Sequence, residues 1–449
     1  MKQQNKAFLR EALRLTLPIS MQFLVASAVN LADVIMLGRL GDEQVAAAGA
    51  ANQIFFLLNL ISFGIFSGAS VFLAQFWGAK DVRNTRRTIG MMYILGITAA
   101  LLFTVGAIFL PRTLINFYAH EASVIDYGAG YLSIVGISYV PTVIGFALSV
   151  VCRSTGNMKL PTFTSVLSMM INIVGNAILI FGLLGAPALG VNGAAIATII
   201  ARTVECAVLV FFIYRHKMAG AATFRELFCF DRMFVRRYVK TTAPVLINET
   251  LWSIGTSLYS VAFGLLGTNA VAAVQIANTI AQMLLVFVRG AGNAAAIMIG
   301  NKIGAGKEEE AFADSKRFMI LMLVIGSIVC VAVILLRPLI LSIYNVSDET
   351  LQFANELLLL HGLTTIPDSI NMLVIVGVCR SGGDTKFACL LDTLSVWLLG
   401  MPLGFLGVYL GFPLWAVFLC VSTEKIAKPI LGIPRVYSKK WINNVVSDL

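Results

Sequence analysis

The chain has 449 residues, 58% of them hydrophobic and only 12% charged, with a formal net charge of +10 and seven cysteines; its mean hydropathy is +0.86. Soluble domains carry roughly 25% charged residues, so this composition excludes an ordinary soluble fold and points to an all-α integral membrane protein. The cysteines are odd in number and form no CxxC pair, which argues against a disulfide framework and leaves them as small, reduced core residues.

The polar, basic start MKQQNKAFLREALR leads into an apolar run too long for the core of a cleavable signal peptide. Twelve runs able to cross a bilayer, each of about 20 residues or more, are expected at 13–39, 48–76, 89–111, 128–152, 162–184, 191–214, 240–265, 270–302, 317–337, 354–379, 386–408 and 412–434. Lys and Arg collect on alternate connections. One side holds the N-terminus, Lys80/Arg83/Arg86/Arg87, Arg153/Lys159, the 215–240 loop, Lys302 to Arg317, Arg380/Lys386 and the C-terminal tail. The other holds only Arg39, Arg112 and Arg337. By the positive-inside rule the basic side is cytoplasmic, both termini are inside, and the number of spans is even. The positive charge is therefore topological, and no nucleic-acid partner is expected.

The runs form two similar sets. GRLGDEQVAAAGAANQI (38–54) resembles GLLGTNAVAAVQIANTI (264–280), LPIS (17–20) resembles APVL (243–246), WGAK (77–80) resembles IGAGK (303–307), and VCRSTGNMK (151–159) resembles VCRSGGDTK (378–386). Residues 1–214 thus read as an N-lobe, 236–449 as a C-lobe of the same topology, and 215–235 as the linker between them. Parallel six-helix repeats of this kind mark secondary transporters. Arg153 and Arg380 are expected to snorkel at the ends of spans 4 and 10.

Polar residues inside the spans mark the pathway. Asp33 in span 1, Asn176 in span 5 and Thr198 in span 6 lie about 9, 12 and 10 Å from one face, at about 1.5 Å per residue. Asn172 lies one turn from Asn176 on the same helix face. A buried carboxylate holds its proton unless it is paired or hydrogen-bonded, so Asp33 is a candidate proton carrier. In the C-lobe, Glu249 of span 7 and Asp368 of span 10 lie about 14 and 16 Å from the other face by the same rise. A lone charge there costs at least about 2.5–3.5 kcal/mol, and two hard carboxylates suit a small hard cation such as Na⁺. Gln275, Asn278 and Gln282 of span 8 could supply neutral ligands, and Arg289 of the same span is a possible counter-ion to either carboxylate. Arg202 and Glu205, three residues apart, should pair. Asp392 and Glu424 read as solvated positions near span ends. His120 and His361 show no metal-ligand spacing.

The patterns LPIS…NLADVIMLGRLG in span 1, PTFTSVLSMMINIVGNAILIFG in span 5, GVNGAAIATIIAR in span 6 and IPDSINMLVIVGVCRSGGDTK in span 10 resemble those of the multidrug and toxic compound extrusion (MATE) family. The resemblance covers the whole chain. It implies twelve transmembrane helices in two pseudo-symmetric six-helix lobes, and export of cationic or amphipathic small-molecule drugs in exchange for Na⁺ and/or H⁺. It also implies coupling at the span 1 acid Asp33 and a C-lobe cation site at Glu249 and Asp368. Where the DinF-like branch carries a second aspartate in span 5 this chain has Asn176, which favours the NorM-like branch. A monomer in the lipid of the bacterial inner membrane, without cofactor or enzymatic activity, is expected. GxxxxGK[ST], HExxH and GxSxG are absent. The rival is a flippase for lipid-linked precursors, whose site should hold several cationic residues for diphosphate.

Overall fold

The computed structural model describes residues 2–342, 344 and 346–447, which are overwhelmingly helical. Twelve long helices dominate: α1 (Lys2–Leu37), α2 (Asp42–Gly78), α3 (Val82–Phe109), α4 (Ala122–Ser154), α5 (Lys159–Phe181) and α6 (Val191–Arg215), then α7 (Arg232–Gly264), α8 (Thr268–Leu284 with Val286–Gly304), α9 (Glu308–Leu341), α10 (Asp348–Arg380), α11 (Thr385–Tyr409) and α12 (Leu414–Tyr437). Each expected apolar run is one of these helices. Among the described residues, ten are long and apolar enough to cross a bilayer when the two parts of α8, bent by 46° at Leu285, are counted together. The two exceptions, α7 and α12, carry Arg236, Arg237, Lys240 and Glu249 in the first and Glu424, Lys425, Lys428 and Arg435 in the second. α10 and α11 also contain π-helical segments, Leu373–Arg380 and Val396–Gly400.

Side chains on the outer surface suit lipid. Ile320, Val324, Ile328, Val331, Leu335 and Leu339 of α9 recur at helical spacing and are all exposed. In water so long an apolar stripe would be an aggregation site; in a bilayer it is solvated, while the helix satisfies its own backbone.

The chain divides into two compact units, and the division departs from a clean cut at the linker. One comprises Met21–Leu73 and Asp81–Val235; the other comprises Met1–Ser20, Ala74–Lys80 and Arg236–Leu449. In the first unit the 215–235 stretch, expected as a linker, packs on α3. Gly90 has no side chain where the Leu227 carbonyl approaches: a Cβ there would lie 1.8 Å from that oxygen. Arg86 pairs with Glu226, and Arg87 Nη1 lies 3.5 Å from Asp231 Oδ2. Residues 223–226 form a capping box that starts the short helix Phe224–Leu227.

In the second unit, the C-terminal turns of α2 and α8 cross at very close range. Ala74 and Gly78 face Gly300 and Gly304, a small-xxx-small pattern on both helices. A Cβ on Gly304 would lie 1.8 Å from the Gln75 carbonyl oxygen, and one on Gly78 would lie 1.9 Å from that of Asn301. The fully buried Gln75 amide donates to the carbonyls of Ser381 at 3.0 Å and Asn443 at 3.2 Å, and accepts from the Val445 N–H at 2.8 Å. Trp441, fully buried, donates to the Val436 carbonyl at 2.8 Å. The tail after α12 is thus part of the packed unit. Elsewhere this unit has an apolar core that includes Phe263, Ile280, Val333, Leu357 and Phe418.

Gly304→Ala forces a methyl group into main-chain atoms and should cost about 1–3 kcal/mol, lowering the thermal unfolding midpoint in detergent by several degrees. Gly264→Ala, whose Cβ meets nothing within 4 Å, should leave the midpoint within about a degree, because surface substitutions away from such contacts fall within about 0.5 kcal/mol.

Candidate functional site

The unit formed by Met21–Leu73 and Asp81–Val235 encloses a cavity of about 490 Å³. α1 contributes Gln22, Asn30 and Asp33 to its wall, α2 contributes Asn52, Gln53 and Asn59, and α4, α5 and α6 add Tyr131, Asn172 and Thr198. The depth counts of the sequence analysis correspond to one hydrogen-bonded chain. Asn176 Nδ2 donates to Asp33 Oδ1 at 2.6 Å and to Asn172 Oδ1 at 3.2 Å; Asn172 Nδ2 donates to Thr198 Oγ1 at 3.3 Å. One helical turn separates the two amides, so α5 presents both to the same side.

Asn176 is fully buried, and its own Oδ1 has no partner among the described residues. An amide has both donors and an acceptor. With Asp33 ionised, Asn176 Nδ2 donates to it; with Asp33 protonated, a turned amide can accept from the carboxylic O–H. The cluster therefore suits a carboxyl group that changes protonation state. Arg202 reaches the same wall but is committed: its Nη1 lies 2.9 Å from Glu205 Oε2, whose other oxygen accepts from Ser165 at 3.2 Å. Gln22, Asn30, Asn52, Gln53 and Asn59 were not singled out from sequence. Their signal was there, as isolated amides within the apolar runs of spans 1 and 2. Arg153, expected to snorkel, instead donates to Gln22 at 3.3 Å.

The C-terminal unit is arranged differently from expectation. Glu249 and Asp368 each hold a basic partner of their own. Arg380 Nη1 lies 2.5 Å from Glu249 Oε1, and Lys425 Nζ lies 2.8 Å from Asp368 Oδ2. Arg380 is buried beside Glu249 and does not snorkel. Arg289, the expected counter-ion, forms no ion pair among the described residues; its carbonyl accepts from Asn293 at 2.8 Å. Gln275 and Gln282 are exposed and Asn278 partly so, and none hydrogen-bonds to either carboxylate among the described residues.

Asp392 and Glu424, expected to be solvated, are buried. Lys428 Nζ bridges them at 2.8 and 2.7 Å, and Asn248 Nδ2 donates to Asp392 at 3.0 Å. The reason lies on α12, where Glu424, Lys425 and Lys428 fall within five residues and so carry charge on neighbouring turns. Among the described residues no group of three or more His, Cys, Asp or Glu side chains is placed to hold a metal ion. His361 is buried against the Phe418 ring, 4.6 Å between centroids.

Comparison with known proteins follows this geometry. The MatE family model matches residues 18–178 and 244–406. The chain is 24% identical over 430 residues to the uncharacterized transporter YisQ of Bacillus subtilis, spanning 95% of this chain and 94% of that one. It is 26% identical to the probable multidrug resistance protein YoeA of Bacillus subtilis (88% of each chain) and 26% identical to the probable multidrug resistance protein NorM of Bradyrhizobium diazoefficiens (94% of each). Among solved structures it superposes on the Vibrio cholerae MATE transporter VcmN with a TM-score of 0.89 at 18% identity, covering 98% of this chain and 99% of that one. A MOP-superfamily transporter from Pyrococcus furiosus gives 0.86 at 19%, covering 96% of each. At such identities the structures establish the fold: twelve transmembrane helices in two lobes.

Lys428→Met leaves Asp392 and Glu424 without their shared cation, and breaking a buried ion pair from one side costs about 3–5 kcal/mol. Expression and thermal stability should fall sharply. The triple variant Lys428→Met, Asp392→Asn, Glu424→Gln should recover much of the loss in the same melting assay.

Proposed function

The chain belongs to the MatE family of multi-pass membrane transporters, and from that premise we propose that it is a multidrug exporter that extrudes cationic or amphipathic organic molecules in exchange for inward-moving cations, with Asp33 as the coupling carboxyl. The observation that carries this reading is the cavity of about 490 Å³ with Asp33 in its wall. Its volume falls in the range of drug-sized pockets, about 300–1,000 Å³. Its lining mixes amides and hydroxyls with apolar groups such as Phe55, Phe56 and Met169, and methionine and aromatic faces accommodate ligands of varied shape.

The charge balance supports a cationic cargo. Arg202 is neutralised by Glu205, which leaves Asp33 as the uncompensated charge on the lining. When Asp33 is ionised it attracts an organic cation; when a proton occupies it, that attraction is gone. Drug and proton then exclude one another at one carboxyl, and by linkage each weakens the other's binding by the same factor. A flippase for lipid-linked diphosphates would require several uncommitted cations, and this wall offers only the paired Arg202. The names of the relatives YoeA and NorM, both probable multidrug resistance proteins, support the same class of cargo. The distribution of Lys and Arg supports both termini on the cytoplasmic side of the bacterial inner membrane, and a monomer suffices for the site as built.

Expression in a pump-deficient bacterium should raise resistance to ethidium and lower its accumulation at least severalfold. In proteoliposomes, Asp33→Asn should abolish dye transport driven by a pH gradient while the protein remains folded. Undiminished proton-driven transport in that variant would remove Asp33 from the coupling step.

A further inference from the structure

Every interior carboxylate of the C-terminal unit that depth counting marks as a cation ligand already faces a basic side chain. We infer that Lys425 is a built-in cation, its ammonium holding the position beside Asp368 that a transported Na⁺ would need, so that the C-terminal unit takes up no sodium. That such a Na⁺ would be transported rests on the exporter reading; the placement of the ammonium rests on the structure alone.

Lys425 is the twelfth residue of the 24-residue helix α12. It therefore lies about 17 Å from one end and about 18 Å from the other at the usual helical rise, too deep for its stem to reach water by snorkelling. Its Nζ is 2.8 Å from Asp368 Oδ2, and the two side chains are only 19% and 24% exposed. Asn371, three residues on from Asp368, donates to the Lys425 carbonyl at 3.0 Å. α10 thus grips α12 at this residue through both main chain and side chain.

The groups around the pair settle its charge. Asp368 and the buried His361 come from α10, and Lys425 and Glu424 from α12; Glu424 is taken up by Lys428. From α8, Arg289 acts on Asp368 electrostatically without bridging to it. Asp368 therefore has one cation in contact and a second within reach of its field. A sodium ion placed there would be the third positive charge about one carboxylate. Glu249 offers no alternative, since Arg380 closes it at 2.5 Å with 5% and 12% of the two side chains exposed. An ammonium and Na⁺ carry the same charge, but the ammonium is tethered and cannot be exchanged down a gradient.

The test uses purified full-length protein, once in detergent for ²²Na⁺ binding and once in proteoliposomes for ethidium transport, with Na⁺ and pH gradients imposed separately. In an Asp33→Asn background, which removes the carboxyl of the other unit, the protein should show no saturable Na⁺ binding at millimolar concentrations. Na⁺ binding should appear in Lys425→Met and strengthen in Lys425→Met/Arg289→Met. It should vanish again when Asp368→Asn is added. Lys425→Arg, which keeps a tethered cation, should bind no Na⁺ in that background. Saturable Na⁺ binding to the Asp33→Asn protein overturns the inference. Folded Lys425→Met variants that take up no Na⁺ overturn the placement beside Asp368. If Lys425→Met does not fold, the Asp33→Asn protein and Lys425→Arg still decide. If neither gradient moves dye, the exporter reading falls, and the binding measurement alone decides the role of Lys425.

Discussion

An ionised side chain inside a helix bundle surrounded by lipid must find an opposite charge, a set of hydrogen bonds or a proton. The two units of this chain meet that requirement in different ways. Glu249, Asp368, Asp392 and Glu424 are each met by Arg380, Lys425 or Lys428 within 2.8 Å. Asp33 has no ion pair among the described residues and is held by an amide. Tethered charges are fixed once the helices pack. An acid held only by an amide keeps the option of exchanging its proton, which is why Asp33 is the carboxyl we propose for transport, while the four C-terminal acids are held in ion pairs.

This arrangement has a price in membrane insertion. Neither α7 nor α12 is apolar enough for composition alone to identify it as a spanning helix, the first for its Asn, Ser and Thr residues beside Glu249, the second for Glu424, Lys425 and Lys428. They are stabilised by neighbours: Lys425 and Lys428 by acids on α10, α11 and α12, and Glu249 by Arg380 at the end of the π-helical stretch of α10. Hydrogen bonds there close over one residue more than in an α-helix, which widens the helix and shifts the register of the residues that follow, and such widened turns recur at functional sites.

Much of this was legible in one dimension. Twelve apolar runs, their alternating flanking charge and the two-fold internal similarity lead to the helix count and the repeat. The polar chain of Asp33, Asn176, Asn172 and Thr198 was legible because polar residues in apolar runs sit at countable depths, and helices crossing at one depth bring them together. The C-terminal unit was misread for a physical reason. Depth counted from uncertain span ends says nothing about azimuth or partner: Glu249 meets Arg380, twelve residues beyond Asp368 on α10, while Asp368 meets Lys425, so each is claimed by a base remote in sequence. Lys425 and Lys428 lie inside the twelfth span and were not weighed as partners, because the reading of interior charge followed the acids and Arg289. The bend at Leu285 and the grouping of Met1–Ser20 and Ala74–Lys80 with the second unit follow from packing that no local pattern announces.

The amide of Gln75 bears on how the protein is made. Its oxygen accepts from the Val445 N–H, 370 residues further along the chain, and its nitrogen donates to the Asn443 carbonyl, 368 residues away. α2 enters the membrane early in synthesis, yet its last turn cannot be completed until nearly the whole polypeptide has been translated. Contacts that span such separations form late. The Ala74 and Gly78 face of α2 meets α8 once residue 304 is made, but the Gln75 side chain gains its partners only with Ser381, Asn443 and Val445. The last turn of α2 is therefore completed from the far end of the chain.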